Sequence, residues 1–200
     1  MALAFASTIS NEEAAQLPVA HFDGDIVVVE DDDALERACE YLSAQSVLGF
    51  DTETRPSFTK NQINQVALLQ LSTYERCYLI RLCRLKKIGK ALKLLENSRI
   101  TKIGAGLASD MSSLSRLCRF TPRGFVELQS EVERFGIENK SLRKMAAIVL
   151  GERVSKAQRL SNWEASSLTL QQQHYAATDA WVCLRIFDVL HTAKSSDNIK

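Results

Sequence analysis

Apolar positions along this chain change period several times, and the changes divide it into elements. Ile26-Val27-Val28-Val29 is a β-branched run that predicts a strand. Asp33 then stands as a helix N-cap, with Glu36 at the capping-box position. The helix it opens, to about Ala44, would bury Leu35, Ala38, Cys39 and Leu42. Three strand-like runs follow, Val47 to Thr52, Val66 to Ser72 and Cys77 to Leu82, joined by short polar segments that predict an antiparallel meander. Beyond them the pattern alternates. A helix is expected at about Gly89 to Glu96, a strand at Ile100 to Gly104, a helix at Leu107 to Leu117 and a short strand at Phe125 to Leu128. Helical periods then dominate, from Ser141 to Leu150 and from Leu170 to about His191, the second opened by a Thr169/Gln172 capping box.

Strands first, then alternation, then helices predict one α/β domain with a mixed β-sheet flanked by α-helices. Its expected span is 21–192, between a flexible N-terminal arm at 1–20 and a C-terminal tail at 193–200. The segment from Gly151 to Leu168 is long and polar, as functional loops often are.

Composition narrows the picture modestly. With 46% hydrophobic and 24% charged residues in 200, the chain is of ordinary globular type and long enough for a sizeable core. A net charge of +1 votes neither for nor against nucleic acid, because a basic face and an acidic metal site would cancel. The five cysteines form no CxxC pair and no zinc-spaced cluster with histidine, as expected of reduced thiols in an intracellular, by default cytoplasmic, protein. No apolar run reaches the ~18 residues of a membrane span. Met1 to Ser10 lacks the basic start of a signal peptide.

Three motifs carry candidate chemistry. In Phe50-Asp51-Thr52-Glu53 an apolar strand runs into two acids spaced by two, which therefore share a face. Like charges side by side repel, and a divalent cation with its preference for carboxylate oxygen would relieve them. Alone, the pair also fits a solvated strand end. In Tyr175-Ala176-Ala177-Thr178-Asp179 the hydroxyl and carboxylate lie four apart on one helical face, with small residues between that would let the helix approach a sheet. A core tyrosine and a surface aspartate would look the same. In Gly104-Ala105-Gly106-Leu107-Ala108-Ser109-Asp110 a strand ends in a glycine turn and an acid enters the next helix, where a plain dipole partner would also sit. Together the motifs supply what phosphodiester hydrolysis by two metal ions requires: several carboxylates and one group able to orient water.

At these motifs the sequence resembles the DEDDy branch of the DEDD 3′–5′ exonucleases, most closely the group containing RNase D and the exonuclease domain of the Werner syndrome protein. The match runs from about Asp25 to Leu190 and includes Asn64 to Leu71 after the first motif and Leu160-Ser161-Asn162-Trp163 before the third. The resemblance implies a ribonuclease H-like fold and two divalent ions, Mg²⁺ or Mn²⁺. It implies that Asp51, Glu53 and Asp179 hold one metal, with Asp51 bridging to the second. Asp110 would support the second site and Tyr175 would orient the attacking water. Cleavage would proceed from the 3′ end of single-stranded or 3′-recessed nucleic acid, DNA or RNA, releasing nucleoside monophosphates. His174 stands at the offset used by the sister histidine branch, but on an ideal helix it points away from the Tyr175 face. Ser166-Ser167-Leu168 replaces an Arg-Pro-Leu of the RNase D pattern, removing that arginine's contact. The alternative function is a catalytically weak nucleic-acid-binding module of the same fold.

For substrate grip, Lys156 and Arg159 are the leading phosphate candidates in a loop also flanked by Lys140, Arg143, Lys144 and Arg153. Thr52, Arg55, Phe58 and Lys60 lie at or just after the first motif, where the terminal nucleotide would sit. Trp163 is a candidate stacking platform, or else a structural residue of the loop-to-helix junction. Neither membrane association nor a particular oligomeric state is indicated.

Overall fold

The computed structural model describes residues 5–57 and 63–197, with side chains to residue 193. In chain order its elements are α1 (Asn11–Gln16), β1 (Asp25–Val29), α2 (Asp32–Ser43), β2 (Val47–Thr54), β3 (Val66–Ser72), β4 (Arg76–Ile80), α3 (Gly89–Glu96), β5 (Thr101–Gly104), α4 (Leu107–Leu117), β6 (Phe125–Glu127), α5 (Leu128–Glu133), α6 (Leu142–Leu150) and α7 (Leu170–Asp197). Six strands form one sheet in the order β1-β4-β3-β2-β5-β6. β2, β3 and β4 make the antiparallel meander, while β1 joins β4, β5 joins β2 and β6 joins β5 in parallel. The sheet is thus mixed, as the element order predicted.

Both faces of the sheet are covered. On one, Leu48, Phe50, Leu69, Leu71 and Tyr78 pack against α2, α3 and α4. On the other, Leu68, Leu79 and Ile103 meet residues of α5, α6 and α7. β3 lies in the middle and all seven of its residues are buried, which explains its nearly unbroken apolar sequence.

Two features set the site. Ala176, Ala177 and Ala180 of α7 are fully buried. Opposite them, a Cβ at Gly49 of β2 would fall 2.0 Å from the carbonyl oxygen of Ala180. Only glycine lets the helix backbone come down on the strand at this point. Gly106 caps α4 with φ of 78°, a left-handed conformation that turns the chain from β5 into the helix.

Several boundaries differ from expectation. The cap of α2 is Asp31, whose carboxylate accepts the Ala34 N–H at 2.7 Å; Glu36 lies further along and pairs with Lys90 instead. The short helix α5 was not expected. α7 runs to Asp197, so most of the anticipated tail is helix.

Of the expected N-terminal arm at 1–20, residues 1–4 lie outside the described residues. Residues 5–20 form a docked strap. Ser10 and Glu13 make a reciprocal capping box for α1. Phe5 meets Phe135 edge-on at 5.7 Å, and the Ser7 carbonyl accepts the Glu138 N–H at 2.8 Å. Val19 bridges Arg153, with the Arg153 N–H donating to Pro18 at 2.8 Å and the Ala20 N–H donating back to Arg153 at 2.9 Å. The segment reads as aperiodic because most of its partners are groups distant in sequence that bond its backbone, which leaves no repeat of apolar positions.

Candidate active site

β2 brings Asp51 and Glu53 to one face of the sheet, and the β2–β3 register shifts just after Glu53. The close approach at Gly49 lays α7 over that face and delivers Asp179. Oxygen atoms of Asp51, Glu53 and Asp179 lie within 4.8 Å of one another. Asp110 stands beside this trio, in the first turn of α4, where its carboxylate accepts the Thr52 hydroxyl at 2.6 Å. Thr52 therefore links the strand to the helix, and its N–H donates to the Asp51 carboxylate at 2.9 Å.

The acids disturb one another. Burial, and then the charges of Asp179, Glu53 and Asp110, hold the Asp51 carboxyl well above the usual range. Burial and the same neighbours push Glu53 to about 9, opposed by the Arg159 guanidinium. Asp179 is raised to about 7, mainly by burial, against the Tyr175 hydroxyl and the Arg143 charge, which lower it. Asp110 reaches about 6 through burial, moderated by its bond from Thr52. Tyr175 is pushed far upward by burial and by the Asp179 charge, so it stays a neutral hydroxyl beside the Asp179 carboxylate.

This donor set fits divalent cations. All its members are hard oxygens, and Asp179 keeps a buried Oδ1 without a hydrogen-bond partner among the described residues. Left to themselves, these carboxylates would bind protons to relieve their repulsion; a dication does so while leaving them ionised.

The remaining expected residues scatter. Arg159 acts on Glu53 and is at the site. Arg55 pairs with Glu164 at 3.3 Å, and Lys156 lines a separate hollow beside α1. Trp163 as a stacking platform is a correction. It is fully buried among Phe22, Leu68 and Leu168, its ring 6.0 Å from Tyr175, so it supports the tyrosine from behind and offers no face to a base. His174 stacks on His21 at 4.8 Å. Phe58 and Lys60 lie outside the described residues.

Sequence reading passed over two contributors. Glu127, at the end of β6, accepts the N–H groups of Gly106 and Leu107 at 3.0 and 2.7 Å, fixing the start of α4 and hence Asp110. An acid closing a strand was a readable signal, as at Asp51. Arg143, which the sequence places only as a neighbour of the polar loop, reaches Asp179 electrostatically from α6. Beside the carboxylates, Ala20, His21, Val154, Gln158, Tyr175 and Asp179 help line a cleft of about 240 Å³.

A mixed sheet between helices, with acids converging from a strand end and two helices, defines a ribonuclease H-like nuclease domain. The profile of a 3′–5′ exonuclease family matches residues 26–193, and the chain belongs to that family, in its RNase D-like DEDDy branch. The bifunctional 3′–5′ exonuclease/ATP-dependent helicase WRN of Mus musculus is 37% identical over 155 residues, covering 74% of this chain and 11% of the relative. Ribonuclease D of Haemophilus influenzae is 26% identical over 164 residues, covering 82% of this chain and 41% of the relative. The chain thus spans well under half the length of these relatives. In fold it is similar to the Aedes aegypti Nibbler EXO domain, with TM-score 0.76 at 22% identity over 96% of this chain and 94% of that one. It is likewise similar to Escherichia coli RNase D, with TM-score 0.77 at 24% identity over 87% and 46%. Among the described residues no helix is long and apolar enough to cross a membrane.

Proposed function

We propose that this chain is an active exonuclease that hydrolyses the terminal phosphodiester at the 3′ end of single-stranded or 3′-recessed nucleic acid, with two Mg²⁺ or Mn²⁺ ions, releasing nucleoside monophosphates. The observation that carries the reading is the convergence of Asp51, Glu53 and Asp179 within 4.8 Å in surroundings that resist their ionisation. Asp51, Glu53 and Asp179 would hold one ion, with Asp51 shared toward a second that Asp110 supports. When bound, the ions supply charge neutralisation at the phosphate, activation of water and stabilisation of the leaving oxygen.

The chain's own groups do the rest. The neutral Tyr175 hydroxyl, set beside the Asp179 carboxylate, would hydrogen-bond an attacking water and aim it. Trp163 behind it limits tilting of the ring. Thr52 holds Asp110 at its station, and Glu127 anchors the helix that carries it. Arg159 and Arg143 place positive charge beside the acids, where the substrate's phosphates must enter.

A time course on 5′-labelled single-stranded DNA and RNA tests the reading. The expected result is a ladder shortening from the 3′ end in Mg²⁺ or Mn²⁺ and absent in EDTA, with the faster ladder ranking the two nucleic acids. Folded protein that leaves both strands intact in metal would overturn it.

A further inference from the structure

One hollow outside the carboxylate cluster concentrates positive charge. Between α1 and α6, Asn11, Ala14, Arg143, Lys144, Arg153 and Lys156 line a cavity of about 150 Å³. Four of these six are cations, and among the described residues none makes an ion pair with a carboxylate. The nearby acids are engaged elsewhere. Glu152 accepts two bonds from Arg185, at 2.6 and 2.9 Å. Glu133 pairs with Lys140 at 3.1 Å. Glu13, whose ionisation the Lys144 charge favours slightly, turns back to accept the Ser10 N–H at 2.9 Å.

What three of these cations touch is backbone carbonyl. The Arg143 Nε donates to Val154 O at 2.9 Å, the Lys144 Nζ to Ile9 O at 2.6 Å and the Arg153 Nε to Leu17 O at 3.0 Å. Carbonyls orient these side chains without cancelling their charge. The result is a preorganised set of charged donors, the arrangement that recognises phosphate. Size agrees. At roughly 30 Å³ of liquid volume per water the hollow holds a handful of waters. It is smaller than the ~300 Å³ at which sites for whole organic ligands begin. A tetrahedral anion suits it and a nucleobase does not.

Position gives the anion's source. Arg143 lines this hollow and also acts on Asp179. Val154 and Ser155, just before Lys156, line the neighbouring cleft with Tyr175 and Asp179. The basic hollow is therefore the next stop along the protein surface from the carboxylates. We propose that it is a phosphate subsite for the substrate strand, taking a backbone phosphate on the 5′ side of the scissile bond, with the N-terminal strap as its outer wall. This rests on the nuclease reading above and adds to it a subsite that half depends on residues 9–17.

The test is affinity as a function of strand length. Labelled single-stranded dodecamer and trinucleotide are titrated by fluorescence anisotropy, with Ca²⁺ in place of Mg²⁺ to slow cleavage. Asn11→Glu leaves every cation in place but sets a carboxylate in the hollow, and an acid in the first turn of α1 is compatible with the helix. Lys156→Gln removes one exposed cation. Both are expected to melt like the parent. Each should weaken dodecamer binding roughly three- to tenfold while leaving the trinucleotide unchanged, and Lys156→Gln should reduce the salt slope by ~0.7. Unchanged dodecamer affinity and slope in both variants, with a parent that binds, would overturn the subsite alone. A loss of affinity for a free nucleoside monophosphate instead of the dodecamer would overturn it too, by making the hollow a product site. A parent that binds no strand at all would overturn the nuclease reading and this subsite with it.

Discussion

Asp51 is the residue on which the other acids converge: Asp179, Glu53 and Asp110 all raise its carboxyl. Asp51→Asn should therefore have two opposite effects. Cleavage should fall by about a thousandfold or more, because several kcal/mol of metal-mediated stabilisation of the transition state is withdrawn. In EDTA the same variant should melt above the parent at neutral pH, because an acid that must take up a proton for the chain to fold is gone. Cleavage rates and melting curves on one preparation check both. A variant that loses activity by melting lower would point to a structural role. Tyr175→Phe separates differently. It keeps the ring against Trp163 and removes only the hydroxyl, so turnover should drop about 10²-fold or more. The rise in melting temperature on adding Mg²⁺ should persist, since the carboxylates that hold the ion remain.

The elements matter through the distances they impose. Gly49→Ala would place a methyl 2.0 Å from Ala180 O and force β2 away from α7. Overpacking of this kind costs about 1–3 kcal/mol or more, and here it also widens the gap between Asp51 and Asp179. Activity should fall further than the lost stability explains. Gly89→Ala is the matched control. Nothing lies within 4 Å of its new Cβ in α3, and the melting temperature should hold or rise. These two glycines also show what the sequence could and could not disclose. The β3 run, the meander, α3 and α4 were legible because their apolar periods record burial on the faces that the sheet and helices present. The Thr169/Gln172 box was legible because both bonds it makes are local, Gln172 N–H to Thr169 at 3.2 Å and Thr169 N–H to Gln172 at 3.0 Å. The strap was not, since backbone bonds to Arg153 and Glu138 impose no side-chain pattern. Asp51, Glu53 and Asp179 stood out through spacing, whereas Arg143 did not, because its reach to Asp179 comes from the packing of α6 on α7. For Trp163 the sequence allowed either a stacking surface or a buried support, and burial decided for the second.

At the scale of the whole molecule, the acidic centre couples folding to both pH and metal. In the metal-free chain the carboxyls of Glu53, Asp179 and Asp110 rise to about 9, 7 and 6 from ordinary values of 4.5, 3.8 and 3.8. The folded chain thus holds protons that the unfolded chain has released, and stability must fall as pH rises through this range. The favourable contribution is complete below about pH 4 and is lost progressively between about 4 and 9, the last part of it at Glu53. Melting temperature in EDTA should accordingly decline from pH 6 to pH 9. Mg²⁺ competes with those protons, so its apparent affinity should climb over the same interval. At a hundredfold excess over its dissociation constant it should add ~2.7 kcal/mol, roughly 5–11 °C for a domain of this size. The two effects have opposite signs, so saturating Mg²⁺ should flatten the pH profile, and Glu53→Gln should flatten the EDTA profile without metal. A metal-free protein whose melting temperature stays level from pH 6 to pH 9 would mean that the acids are solvated and independent, which would remove the physical basis for a cation at this centre.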